Sequence, residues 1–343
     1  METQELINKF CEKTNIESNS KIASIIAYGS RITGYEYSSS DLDLFIVAYS
    51  KKSYRYCTVI DGIDVEATVI SFDELEDKLV NASMANNHYY RSVINTGTVI
   101  YDKLDIISLM NEILDKKVKM RKINFPSELI TELTILINNF KYSEDKYVDF
   151  YYFNILETIR NIYYQLNNIS FLNYRKIYDM YQNQDYARDI YKLDLPSQDF
   201  IELFLEAINK TSKEERISII NKLCDLINYS NLEKNYSYRE KGAFIDTDDI
   251  KIRLSHLNRK VCRLEEMLIS NHPFKEYVYF CLLKELKDFY LLVYHFDDSD
   301  LDELYKIAIN SVSLDDRIKA LENLFNFVDK DYRFDYHNYC LRY

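Results

Sequence analysis

Glycine is scarce in this chain, five residues in 343, beside three prolines and no tryptophan. Glycine used so sparingly stands where another residue would not fit, and Gly29 and Gly34 fall within one short stretch. The six cysteines never form a C-x-x-C pair. That excludes a disulfide framework and the usual zinc sites, and points to reduced thiols in a cytoplasmic protein. The five histidines are isolated from one another, so no His/Cys cluster has metal-ligand spacing. There is no excess of positive charge either: 43 Lys and Arg against 55 Asp and Glu give a net charge of -12. Nucleic-acid backbones are gripped by Lys and Arg, so this balance argues against a polymerase or RNA-tailing enzyme and suits a small or cationic acceptor. The amino terminus has no apolar h-region, so no signal peptide is expected. The apolar segment from Tyr277 to Tyr294 is interrupted by Lys284, Glu285, Lys287 and Asp288, and reads as a buried helix, not a membrane span.

What is present is an ordinary globular composition, 47% apolar and 29% charged, in a chain long enough for two or three domains. Residues 1–125 read as mixed α/β. Gln4 to Lys13 has a helical apolar face, and Ile22–Tyr28, Leu42–Ala48, Tyr54–Ile60 and Ile63–Ile70 read as strands. Asp61-Gly62 between the last two is a two-residue hairpin signal. Phe72 to Val80 is expected to be helical and Thr98 to Tyr101 to add a short strand. Pro126 marks a plausible domain joint, and beyond it helical periodicity dominates, as in Val148, Tyr151, Ile155, Ile159, Ile162 and Leu166. The polar stretch Asn228 to Asp249 separates two helical blocks. The expectation is an α+β fold: a mixed-sheet domain over 1–125, a helical domain over 126–230 that faces it across a cleft, and a further helical block over 231–343.

One stretch carries chemistry. Gly29-Ser30-Arg31-Ile32-Thr33-Gly34 is followed by Ser40-Asp41-Leu42-Asp43-Leu44, with Asp41 and Asp43 on the same side of an apolar strand. Two carboxylates on one strand face repel unless a cation sits between them, which suggests a divalent metal beside a phosphate-binding turn. On the later strand, Asp64, Glu66 and Thr68 share one face and Val65, Ala67 and Val69 the other. A third carboxylate there completes the set that a two-metal phosphoryl or nucleotidyl transfer needs, and hard oxygen ligands favour Mg²⁺ or Mn²⁺.

These residues resemble the nucleotidyltransferase superfamily of the DNA polymerase β type, whose pattern h-G-S-x-x-x-G-x(6)-D-x-D is followed by h-[DE]-h on a later strand. Within it, the spacing and the helical tail are most similar to the minimal and the aminoglycoside or lincosamide nucleotidyltransferases. The resemblance covers residues 20 to 80 or so. It implies nucleotide contacts at Gly29, Ser30, Arg31 and Ser40, and metal ligation and catalysis by Asp41, Asp43 and Glu66, with Asp64 as the alternative third carboxylate. It also implies two Mg²⁺ ions, ATP as donor, and AMP transfer to a hydroxyl of a small acceptor such as an aminoglycoside-like antibiotic. Transfer to protein, RNA or another nucleotide is the alternative, as is a catalytically inactive helical scaffold.

Weaker signals lie in the helical region. Tyr147, Tyr151, Tyr152, Tyr163 and Tyr164 form a stripe that would stack on a ring or, at helical spacing, fill a core. Arg175 and Lys176 are candidates to reach a triphosphate. Arg253, Arg259, Lys260 and Arg263 form a basic helix face whose simplest reading is solvated surface. His256 and His272 are expected to be structural.

Overall fold

The structure, a computed structural model, describes residues 3–15, 19–34, 40–84, 89–115, 127–167, 169, 177–184, 195–230, 247–294 and 299–328. Helix α1 (Thr3–Thr14) leads into β1 (Ile22–Tyr28), the single turn α2 (Ser30–Thr33), β2 (Leu42–Ala48), β3 (Tyr54–Ile60) and β4 (Ile63–Ser71). A 3₁₀ turn at Phe72–Glu74, α3 (Leu75–Met84), α4 (Tyr89–Thr96), β5 (Thr98–Asp102) and α5 (Ile106–Asp115) complete the sheet region. Then come α6 (Ser127–Tyr142), α7 (Asp145–Leu166), α8 (Ile177–Gln182), α9 (Gln198–Ile208) and α10 (Lys213–Leu226). The last are α11 (Thr247–Ile269), α12 (Lys275–Tyr294), α13 (Ser299–Asn310) and α14 (Leu314–Val328). The architecture is α+β, a mixed sheet with flanking helices followed by a large helical region.

The five strands run in the order β3-β4-β2-β1-β5. The central pair β2 and β4 is parallel, and every other pairing is antiparallel. The β3–β4 hairpin turns on Asp61 and Gly62 at φ 49° and 83°, the left-handed pair that this dipeptide favours. Alternation along the strands divides the residues between two layers. Leu42, Leu44 and Ile46 of β2 and Val65, Ala67 and Val69 of β4 pack with Leu6, Ile7 and Phe10 of α1. On the other face, Phe45, Val47 and Ile70 meet Leu75 and Leu79 of α3, Val93 of α4, and Ile106 and Met110 of α5.

In the helical region α7 is central, packed by α6, α9, α10, α12 and α13. Buried residues from Ile130 to Val328 form one contiguous apolar cluster. Of the tyrosine stripe, Tyr152, Tyr163 and Tyr164 are buried in this core and Tyr147 and Tyr151 pack against it, the core reading of that pattern. The core also holds a buried ion pair: Arg160 Nε donates to Glu157 Oε2 at 3.0 Å, the Tyr277 hydroxyl donates to the same carboxylate, and the guanidinium lies over the Tyr164 ring. The segment Tyr277 to Tyr294 lies in α12, with Tyr277, Val278, Leu282, Leu283 and Leu286 fully buried. Among the described residues no helix is long and apolar enough to cross a membrane, and no two cysteines are joined. Pro126, Arg175, Lys176 and most of the stretch from Asn228 to Asp249 lie outside the described residues.

Candidate active site

Asp43 and Glu66 stand opposite each other in the parallel ladder of β2 and β4, where neighbouring strands lie about 4.8 Å apart. Asp41, two residues before Asp43, shares its side of the chain and is buried. The central strands therefore bring together all three acidic groups that the sequence singles out. Asp64 lies on the same face of β4, closer to the hairpin and half-buried.

The turn after β1 meets this cluster directly. A Cβ placed on Gly29 would stand 2.2 Å from Asp43 Oδ2. Gly29 also has φ 87° and ψ -166°, a conformation essentially confined to glycine. Both constraints make the residue at this position a glycine. Gly34 closes α2 in a left-handed conformation, φ 76° and ψ 14°, its N–H reaching the Ser30 carbonyl. Ser30 Oγ donates to Ser40 Oγ at 3.1 Å and Arg31 Nε donates to the Ser40 carbonyl at 2.6 Å. Gly29, Ser30, Arg31 and Ser40 thus form one knot against the acidic residues. Behind it the Tyr28 and Tyr89 hydroxyls share a hydrogen bond of 2.7 Å. Burial first, and then the neighbouring Tyr89 and Asp43, push the Tyr28 hydroxyl well above its ordinary range, so it stays protonated.

A basic layer from α11 covers the acidic cluster. Arg259 bridges two of its members, with Nη2 donating to Glu66 Oε2 at 2.6 Å and Nη1 lying 3.2 Å from Asp41 Oδ2. Arg263 Nη2 donates to Asp41 Oδ1 at 3.1 Å. His256 Nε2 donates to Glu66 Oε2 at 3.1 Å, and Arg55 on β3 donates to Glu66 Oε1 at 3.0 Å. The bridge is sealed: the Arg259 and Arg263 side chains are 11% and 13% exposed, against 7% for Asp41 and 10% for Glu66. Burial alone would raise the Glu66 carboxyl. The His256 hydrogen bond and the charges of Arg259 and His256 outweigh it and hold the group down at about 2. For Arg259, burial would lower the guanidinium, and the Asp41 and Glu66 charges override this and raise it.

This corrects the expectation of a solvated basic face. Arg259 and Arg263 lie on the carboxylates, and Lys260 pairs with Glu285 of α12. His256, expected to be structural, reaches Glu66, whereas His272 is packed against Tyr178 and Phe274. The signal for the site residues was present in the sequence: His256, Arg259 and Arg263 recur at helical spacing opposite Leu254, Leu257, Val261 and Leu264. A polar stripe of that kind suits a carboxylate partner as well as it suits water. Arg55, on a largely exposed edge strand, offered no such signal.

The donor set suits a divalent cation chemically, since it is made of hard carboxylate oxygens on adjacent strands, and a guanidinium already bridges two of them. As the side chains stand, no three His, Cys, Asp or Glu groups among the described residues are arranged to chelate an ion. Asp41 and Glu66 are turned onto arginine instead.

Residues 11–106 match the family described as Polymerase beta, Nucleotidyltransferase. A nucleotidyltransferase-like protein from Exiguobacterium sibiricum 255-15 is similar at 11% identity, over 73% of this chain and 87% of that one, with a TM-score of 0.33. No curated protein matches the chain. The sheet region, with its glycine turn and three carboxylates, is thus the part of the chain that matches the polymerase β nucleotidyltransferase family.

Proposed function

We propose that the protein is a Mg²⁺-dependent nucleotidyltransferase that moves AMP from ATP onto a hydroxyl of a small acceptor and releases pyrophosphate. The observation that carries this reading is the register of Asp43 against Glu66 beside Gly29, within the stretch that matches the nucleotidyltransferase family. In the reaction the acceptor oxygen bonds to the α-phosphorus, and the bond from that phosphorus to the bridging oxygen breaks. The electron pair leaves with pyrophosphate, and the acceptor hydroxyl would give up its proton to the third carboxylate and from there to water. Asp41 and Asp43 would hold the metal, with Glu66, or Asp64 in its place, as the third carboxylate. Bound Mg²⁺ supplies charge neutralisation of the triphosphate and of the attacking and leaving oxygens. The Gly29-Ser30 turn would receive phosphate oxygens through backbone N–H and hydroxyl groups. Glu66 enters this scheme as an anion, because its neighbours hold it ionised. The net charge of -12 suits a polycationic acceptor such as an aminoglycoside.

One observation favours a second reading: arginines already neutralise the carboxylates, as they would in an inactive, purely structural site. Incubation with α-phosphate-labelled ATP, Mg²⁺ and a panel of hydroxylated acceptors separates the two. Transfer of label and release of pyrophosphate are expected from the native protein, and both should fall to background in the Asp41→Asn/Asp43→Asn variant. Unchanged turnover in that variant would remove the site assignment, and no turnover with any donor or acceptor would favour the structural reading.

A further inference from the structure

The basic face of α11 balances the acidic cluster. Arg259 and Arg263 hold Asp41, and Arg259, Arg55 and His256 hold Glu66, with Asp43 and the half-buried Asp64 on the same sheet face. Asp41 and Glu66 are thus charge-compensated as they stand, and shielded from solvent at the Arg259 bridge. A divalent ion arriving alone would displace the arginines and leave two buried guanidinium groups without a counter-charge, a costly arrangement. A polyphosphate arriving with the ion would supply that counter-charge, because guanidinium forks bind phosphate oxygens as readily as carboxylates. A separate observation points the same way: the buried Nε of Arg263 has no acceptor among the described residues, so this guanidinium retains donor capacity that Asp41 does not fill.

We infer that α11 is a resident counter-cation that occupies the carboxylates in the nucleotide-free protein, so that a divalent ion is retained only together with a polyphosphate that takes over Arg259 and Arg263. This rests on the reading of Asp41, Asp43 and Glu66 as metal ligands, and extends it from which residues hold the ion to when they do. The consequence is positive coupling between two ligands that bind the same cleft. The ion is bound weakly without nucleotide, and nucleotide is bound weakly without the ion.

Mn²⁺ is the probe, read by loss of the free-ion electron paramagnetic resonance signal with and without the non-hydrolysable analogue α,β-methylene-ATP, after subtracting the Mn²⁺ that the analogue chelates in a protein-free control. For the native full-length chain, Mn²⁺ affinity should rise about tenfold or more when the analogue is added, a typical size for coupling between sites. In Arg259→Gln/Arg263→Gln, Mn²⁺ should bind about tenfold more tightly than to the native chain when the analogue is absent, and the dependence on analogue should largely vanish. If that double variant does not fold, as judged by circular dichroism, Arg259→Gln alone is measured in the same way. Equal Mn²⁺ affinity with and without analogue in the native protein, or no gain in the variants, would overturn the inference while leaving the metal site standing. Failure of every protein to bind Mn²⁺ even with analogue would instead overturn the metal-site reading, and this inference with it.

Discussion

Two buried arginine–carboxylate groups in this molecule use the same chemistry to different ends. Arg160 and Glu157 sit three residues apart on α7, joined by Tyr277 and by the Tyr164 ring, and Arg160 is 1% exposed. Arg259 and Arg263 reach carboxylates on the sheet that are 193 and 222 residues distant in the chain. The first pair is built into one helix and its immediate neighbour, so it cannot separate without disrupting the core around it. The second joins two layers through side-chain tips alone, and a shift of α11 separates it without unfolding either layer. The short-range pair therefore belongs to one helical core, whereas the long-range contacts join that core to the sheet beside the glycine turn.

Arg160→Ala tests the architectural half most severely. It leaves Glu157 in the core without its charge partner and should cost about 3–5 kcal/mol in urea unfolding. A loss below about 1 kcal/mol would break the comparison. Gly29→Ala is next, at about 1–3 kcal/mol for the strained backbone, with loss of nucleotide turnover because the new methyl displaces the Asp43 carboxylate. A variant with native turnover would show that Asp43 need not lie against the turn. Arg259→Gln should cost less, about 1–2 kcal/mol, since Arg55, His256 and Arg263 still face the carboxylates. Added Mn²⁺ should recover part of that loss for Arg259→Gln and none of the loss for Arg160→Ala, a contrast thermal melts can read.

The smallest effect concerns His272. Burial lowers its affinity for protons, only partly opposed by Asp179, and its Nδ1 accepts a hydrogen bond from the Phe274 backbone. The unfolded chain protonates this ring near its ordinary 6.5, before the folded one does. Stability present above that value is therefore lost as the pH falls through it towards the folded value. His272→Gln should flatten the decline that sets in as the pH falls through about 6.5 in urea titrations.

Much of the sheet was legible because its signals are local. Alternation and the Asp61-Gly62 turn place β1 to β4 almost to the residue, with β4 running one residue past the expected Ile70, to Ser71. The segment from Phe72 opens as a 3₁₀ turn before its helix, with Glu74 drawn to Ser53 by hydrogen bonds. Helices α4 and α5 went unread: at eight and ten residues they show too few turns for their period to stand out. Asp41, Asp43 and Glu66 were legible because strand alternation fixes which side of a strand a residue faces. The partners of those acids were not, because the choice of helix that covers a sheet face depends on packing between distant segments. His256, Arg259 and Arg263 could be assigned to one stripe, but periodicity says nothing about what that stripe meets.

The contiguous core from α6 to α14 gives that stripe a mechanical meaning. Leu254, Leu257, Val261 and Leu264, on the far side of α11, belong to this core. The position of the Arg259 and Arg263 guanidinium groups is therefore anchored by the whole helical core, so that a substitution deep among these leucines can alter the electrostatics at the sheet carboxylates without touching them.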